Sequence, residues 1–245
     1  MNRPLLAGLA ILAIAGLGSL GMSYRNGEVP AERPPAERPT LALLTSLPLV
    51  FGDSFSLEGG GSPALTRLEQ RYKVVPVGVA DATNLKGQRL LLMAHPRAQP
   101  AEALVQLDRW IRGGGHLLLL ADPRLDWPSD RPLGDKLRPP PAFADTGLLA
   151  HWGLALIGPD RPGPIHLGGG HSPVVYLSAG RFVSTNPACE LSRADIIAEC
   201  RIGKGKVAVV ADADFLNVDA MKSYNDFAEN QLDELMELLE TLETR

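Results

Sequence analysis

Residues 89–123 read RLLLMAHPRAQPAEALVQLDRWIRGGGHLLLLADP, and the order of patterns within them decides the fold. Arg89–Ala94 is an uninterrupted apolar run, as expected of a strand covered on both faces. Pro100–Arg112 follows with Ala103, Leu104, Leu107, Trp110 and Ile111 on one helical stripe; Pro100 suits the first turn and Gly113–Gly115 the end. His116–Ala121 is a second continuous apolar run. Buried strand, helix and buried strand in that order predict a parallel sheet with right-handed crossovers, hence an α/β fold.

Working outward, Leu41–Thr45 is expected as a first strand, Pro63–Tyr72 as a short helix and Lys73–Val79 as a second strand. Ile196–Ile202 and Lys206–Ala211 flank Gly203-Lys204-Gly205, the pattern of a hairpin. Asn225–Leu242 places Ala228, Leu232, Leu235, Met236, Leu239 and Leu242 on one face and Glu229, Asp233, Glu237 and Glu240 on the other. That is a packing helix, and its carboxylates exclude a membrane span. Residues 122–173, rich in Gly and Pro, are expected to be irregular apart from a short helix near Gly147–Trp152.

The N-terminal part has another character. From Pro4 to Met22 no charge interrupts PLLAGLAILAIAGLGSLGM, about 19 residues that would cover roughly 28 Å as a helix, close to a hydrocarbon core. The expectation is a transmembrane anchor over residues 1–24. Ser19 and Gly21 also offer the small residues of a cleavage site, so a removed signal peptide is the alternative. Arg3 precedes the run and Arg25 follows it, giving little charge bias for orientation. The signal-like start and the cysteine pair place the long C-terminal part outside the cytoplasm. Residues 30–39 repeat PAERP twice, and proline at that density favours polyproline II, about 3.1 Å per residue. Residues 25–39 are therefore expected as a semi-rigid spacer ahead of a domain at 40–245.

The net charge of −4 and the absence of any long Lys/Arg run argue against nucleic acid as a partner. Two cysteines, Cys189 and Cys200, are too few for a Cys-rich zinc site. In an oxidising compartment they would pair; otherwise they are two small buried hydrophobes. No cofactor or metal is called for by any motif. The glycine triplets at 59–61, 113–115 and 168–170 lack the Gly-Lys-Ser/Thr ending of a phosphate loop.

Catalytic readings fail on missing partners. Gly52-Asp53-Ser54 after the first strand resembles the opening block of the GDSL esterases, with Ser54 as nucleophile. That chemistry needs a histidine base, an aspartate upstream of it and oxyanion donors. No Asp-x-x-His occurs in the chain, and the last histidine is His171. Neither Cys189 nor Cys200 lies on a Gly-x-Cys-x-Gly turn. The carboxylates carry more information: Leu119-Leu120-Ala121-Asp122 and Val209-Val210-Ala211-Asp212-Ala213-Asp214 end two strands alike. Parallel strands would bring Asp122, Asp212 and Asp214 to the sheet's carboxyl edge, where α/β proteins bind ligands. They either hold a cation or polar ligand there or cap the neighbouring turns. Arg124 and Trp127, on the loop that follows, are residue types common at interface hot spots, though Trp127 also suits covering the core.

LDRWIRGGGHLLLLADP (107–123), LLAHWGL (148–154) and RIGKGKVAVVADADFL (201–216) together resemble the GldG-type auxiliary proteins of ABC transport systems. The resemblance covers roughly Leu41 to Leu216. It implies a flavodoxin-like domain similar to class I glutamine amidotransferases but without their catalytic residues, attached to the inner membrane and cooperating with a permease and an ATPase. The function expected is thus a membrane-anchored, non-catalytic accessory or binding module. An atypical hydrolase using Ser54, or a domain binding sugar or envelope polymer through Trp127, are the alternatives.

Overall fold

The computed structural model describes residues 32–50, 61–167, 174–224 and 231–244. The expected anchor at 1–24, the first part of the spacer, Ser54, His171 and the start of the C-terminal helix lie outside these residues. Among the described residues no helix is long and apolar enough to cross a membrane.

Five parallel strands form the body: β1 (Thr40–Thr45), β2 (Lys73–Pro76), β3 (Leu90–Ala94), β4 (His116–Leu120) and a late strand, β11 (Gly205–Val210). Two antiparallel strands, β9 (Cys189–Ser192) and β10 (Ile197–Ile202), extend the sheet beyond β11, so its order is β2-β1-β3-β4-β11-β10-β9. The continuous apolar runs occupy the centre, with every residue of β3 buried and only His116 of β4 partly exposed. Charged or half-exposed residues mark the edge strands β2 and β9.

Helices α1 (Pro63–Glu69), α2 (Ala101–Arg112) and α5 (Gln231–Thr244) cover the sheet, with one-turn helices α3 (Leu148–His151) and α4 (Val218–Met221) between. Ser62 caps α1 by accepting the Leu65 N–H at 3.1 Å. Right-handed crossovers place α1, which leads to β2, and α2, which leads to β4, on opposite faces. The result is a three-layer α/β body, mostly parallel, as the repeated buried runs require. In α2, Ala103, Leu107 and Ile111 are buried. The helix end comes so close to β11 that a Cβ at Gly205 would lie 2.2 Å from the carbonyl oxygens of Ile111 and Gly115. The predicted hairpin is present as β10–β11, turning at Gly203 with φ of +62°.

Two expectations need correction. The stretch 122–173 is not irregular after its short helix: β5 (Leu154–Ile157) pairs with β8 (Arg181–Ser184), and β6 (Pro164–Leu167) with β7 (Val174–Leu177). Each strand is four residues long, and β5 and β6 are half-exposed, so tertiary pairing creates them where Gly and Pro hide the local signal. Residues 32–39, expected within the semi-rigid spacer at 25–39, pack against the domain. Pro35–Glu37 form a 3-10 turn, and the Arg33 N–H donates to the Gln70 carbonyl at 3.0 Å. The Arg33 guanidinium grips Glu243 at 2.8 Å and lies 5.5 Å above the Tyr72 ring. The arginine of the first pentapeptide ties the stretch to the domain through a carboxylate and an aromatic face, and Arg38 of the second donates back to the Arg33 carbonyl at 2.9 Å.

Cys189 and Cys200 face each other across β9 and β10 and are disulfide-bonded.

Candidate functional site

The carboxyl edge is built by three buried strands, each with an alanine at or just after its end followed by a polar residue: Ala94-His95, Ala121-Asp122 and Ala211-Asp212. Pairing of Leu120 with Val210 sets Asp122 and Asp212 side by side, and Asp214 follows two residues on. The structure thus brings together the three carboxylates read from the sequence. Their orientation is the capping one. Asp122 accepts the N–H groups of Arg124 at 2.8 Å and Ala213 at 2.9 Å. Asp212 accepts those of Leu177 at 2.6 Å and Phe215 at 3.1 Å. Asp214 accepts the Asp126 N–H at 2.9 Å. Asp122 and Asp212 are 0% exposed and Asp214 1%, so none offers an oxygen to solvent. No group of three or more metal-ligating side chains suited to a metal ion occurs among the described residues.

A fourth carboxylate, Asp126, joins them; it was not singled out in the sequence, because it follows no strand. It accepts from the Ser178 hydroxyl at 2.5 Å and pairs with Arg124 at 3.5 Å. Ser178 is itself buried, with φ of 55°, and its Oγ also accepts the Gly163 N–H at 3.0 Å. Arg124 is half exposed, whereas Trp127 is partly buried against the core.

Burial without a neutralising cation governs the electrostatics. Burial pushes the Asp122 carboxyl up to about 7 and the Asp214 carboxyl up to about 8, each with help from nearby carboxylates. Asp212 is raised well above the usual range by burial and by the charges of Asp122 and Asp214. Crowded carboxyls in a dry site cannot all ionise, so the cluster retains protons at neutral pH.

These groups act as a clasp on the long loop between β4 and α3. The Phe143 N–H donates to the Asp122 carbonyl at 2.6 Å and the Leu125 N–H to the Pro141 carbonyl at 2.9 Å, closing the loop at its base. Arg97 donates to the carbonyls of Lys136 at 2.7 Å and Arg138 at 2.5 Å, holding the outer part. Underneath lies His95, also overlooked in the sequence despite its place directly after a buried strand. It is fully buried, with φ of 46°. Its Nε2–H donates to the Pro140 carbonyl at 2.9 Å, and Nδ1 has no partner among the described residues. Burial lowers its pKa, so it is neutral. At the ends of β1 and β3, Ser46 donates to the His95 carbonyl at 2.5 Å and Thr45 to that of Ala94 at 2.9 Å. Among the described residues no histidine hydrogen-bonds a serine, and the disulfide occupies both thiols.

No family model matches the chain, and no curated protein matches it. Solved structures do resemble it. An exo-β-1,4-mannosidase, Op5Man5 from an Opitutaceae bacterium, superposes with a TM-score of 0.50 at 12% identity, over 81% of this chain. This chain spans only 35% of that enzyme's length. The cytoplasmic protein STM3548 from Salmonella typhimurium superposes with a TM-score of 0.50 at 11% identity, over 83% of this chain and 98% of its own. At such identities the likeness is one of fold alone.

Proposed function

We propose that the chain is a membrane-anchored, extracytoplasmic and non-catalytic accessory module of an ABC-type transport system. Its folded part is on this reading an amidotransferase-like domain, and the strand order β2-β1-β3-β4 with β11 as fifth parallel member is the flavodoxin-like order. One observation carries the reading: the edge where such sheets bind small ligands is used internally. Asp122, Asp212 and Asp214 are consumed by backbone N–H groups, and the loop they hold covers the strand ends. A domain whose substrate edge is closed by its own loop is suited to binding through its surface. The apolar run at Pro4–Met22 and the disulfide support attachment to a membrane and an oxidising compartment.

Crosslinking of the full chain in native membranes, followed by purification and mass spectrometry, tests this. A permease or ATPase subunit should be recovered with it. Hydrolysis of ester substrates by the wild type that disappears in Ser54→Ala would overturn the non-catalytic reading.

A further inference from the structure

The amino edge of the sheet gathers positive charge from three separate stretches of sequence, 86–89, 109–116 and 201–206. Strand register sets Lys206 beside His116, His116 beside Leu90, and Arg201 opposite Lys206. Arg89 stands just ahead of β3, close enough with Lys206 to hold down the pKa of His116, whose burial is the larger cause. Helix α2 runs back against its strands, so its last turn delivers Arg109 and Arg112 to the same edge. The hairpin turn adds Lys204, whose N–H donates to the Arg112 carbonyl at 3.1 Å. Among these groups lies a depression of 340 Å³ lined by Lys86, Gln88, Arg109 and Trp110. The Trp110 indole N–H is fixed on the Gln88 carbonyl at 3.2 Å, and Gln88 Oε1 is buried without a partner among the described residues.

Little opposes this charge. Asp108 is engaged by Arg112 at 2.7 Å and by the Trp152 indole at 2.9 Å. Among the described residues no carboxylate lies within ion-pair distance of Lys86, Arg89, Arg109 or Lys204, all of them exposed. Basic residues commonly compensate the last turn of a helix, but Lys86, Arg89 and Lys204 belong to none. The molecule as a whole is acidic, which makes the local excess more pronounced.

Chain direction identifies the occupant. β1 starts at Thr40, and Arg33 is tied to Gln70 and to Glu243 at the end of α5, so the segment enters at the amino edge. The apolar run ends at Met22, and the nine residues between it and residue 32 reach roughly 30 Å at most. On the membrane-anchored reading, on which this inference rests, the amino edge therefore faces the bilayer and the loop at the carboxyl edge faces away. We propose that the amino edge docks on anionic phospholipid headgroups, with a lipid phosphodiester seated between Lys86 and Arg109 against Trp110. Trp at the headgroup level and Lys/Arg against an anionic leaflet are the groups such a surface selects.

The test uses the full chain reconstituted into vesicles of phosphatidylcholine, with or without phosphatidylglycerol, and measures lysine acetylation rates by mass spectrometry. Phosphatidylglycerol should slow Lys86 and Lys204 by roughly fivefold each and leave Lys136, on the opposite edge, unchanged. Lys86→Glu combined with Arg109→Glu should abolish protection of Lys204 with an unaltered circular dichroism spectrum. Equal rates in both vesicles, protection at Lys136 instead, or the same protection from soluble glycerol phosphate would overturn the docking. Vesicle flotation separates the two ideas: a chain that floats with both lipids at equal acetylation rates removes only the docking, whereas one that floats with neither removes the anchor as well.

Discussion

Raising the pH from 5 to 7 should weaken this fold through Asp214, and replacing that residue by asparagine should remove the effect. An unfolded aspartate releases its proton near pH 3.9, but Asp214 in the folded chain holds one up to about 8. Between those values the native state binds more protons than the unfolded one, so stability falls as pH rises. The contribution is complete below about pH 4 and is lost as pH passes through 8. One retained proton corresponds to about 1.4 kcal/mol per pH unit, hence roughly 3 kcal/mol over two units. For a domain of this size that is a fall in Tm of roughly 6–12 °C. Asp108, whose pKa is lowered, despite its burial, by bonds to Arg112 and Trp152, has the opposite pH dependence, so the wild-type slope alone does not isolate the clasp. Asp214→Asn does: its amide oxygen still accepts the Asp126 N–H, and its NH2 donates to a carboxylate at Asp122 without a proton in transit. Between pH 5 and pH 7 the variant should gain on the wild type by the amount just given, read by circular dichroism melting. Parallel Tm-versus-pH curves for the two proteins would refute the protonated clasp.

Other perturbations give separate checks. Cys200→Ser opens a cross-strand bridge spanning 11 residues and should cost about 3 kcal/mol by chain entropy, seen in denaturant melts with and without reductant. Gly205→Ala forces a Cβ to within 2.2 Å of two carbonyl oxygens, neither on a flexible side chain, and should destabilise by about 2–3 kcal/mol in calorimetry. Arg33→Ala removes the bond to Glu243 and the contact with Tyr72, costing about 1 kcal/mol. Amide exchange near Glu37 should accelerate with it, while β3 and β4 stay protected.

The central strands were legible because burial on both faces leaves a mark that needs no context: LLLMA has no polar residue, and HLLLL has one only at its partly exposed start. The meeting of Asp122 with Asp212 followed from the same logic, since parallel strands of equal depth end at one edge. Their inward orientation did not, because it depends on backbone donors at Leu177, Ala213 and Phe215 that only the folded chain supplies. β5 to β8 were hidden for a related reason, their pairing being decided by partners well separated along the chain. The cationic amino edge escaped notice altogether. Lys86, Arg89, Arg109, Lys204 and Lys206 form no run in the sequence and become neighbours only through register and helix direction.

The position of β11 between β4 and β10 has a consequence for biogenesis. Its partner on one side was synthesised roughly ninety residues earlier. Until residue 210 emerges, β4 presents a leucine-rich ladder with one side unsatisfied, so a chain delivered N-terminus first has an adhesive intermediate. Assembly of the sheet is therefore a late, long-range event, slow by topology. The window before β11 inserts is when a holding chaperone would matter most.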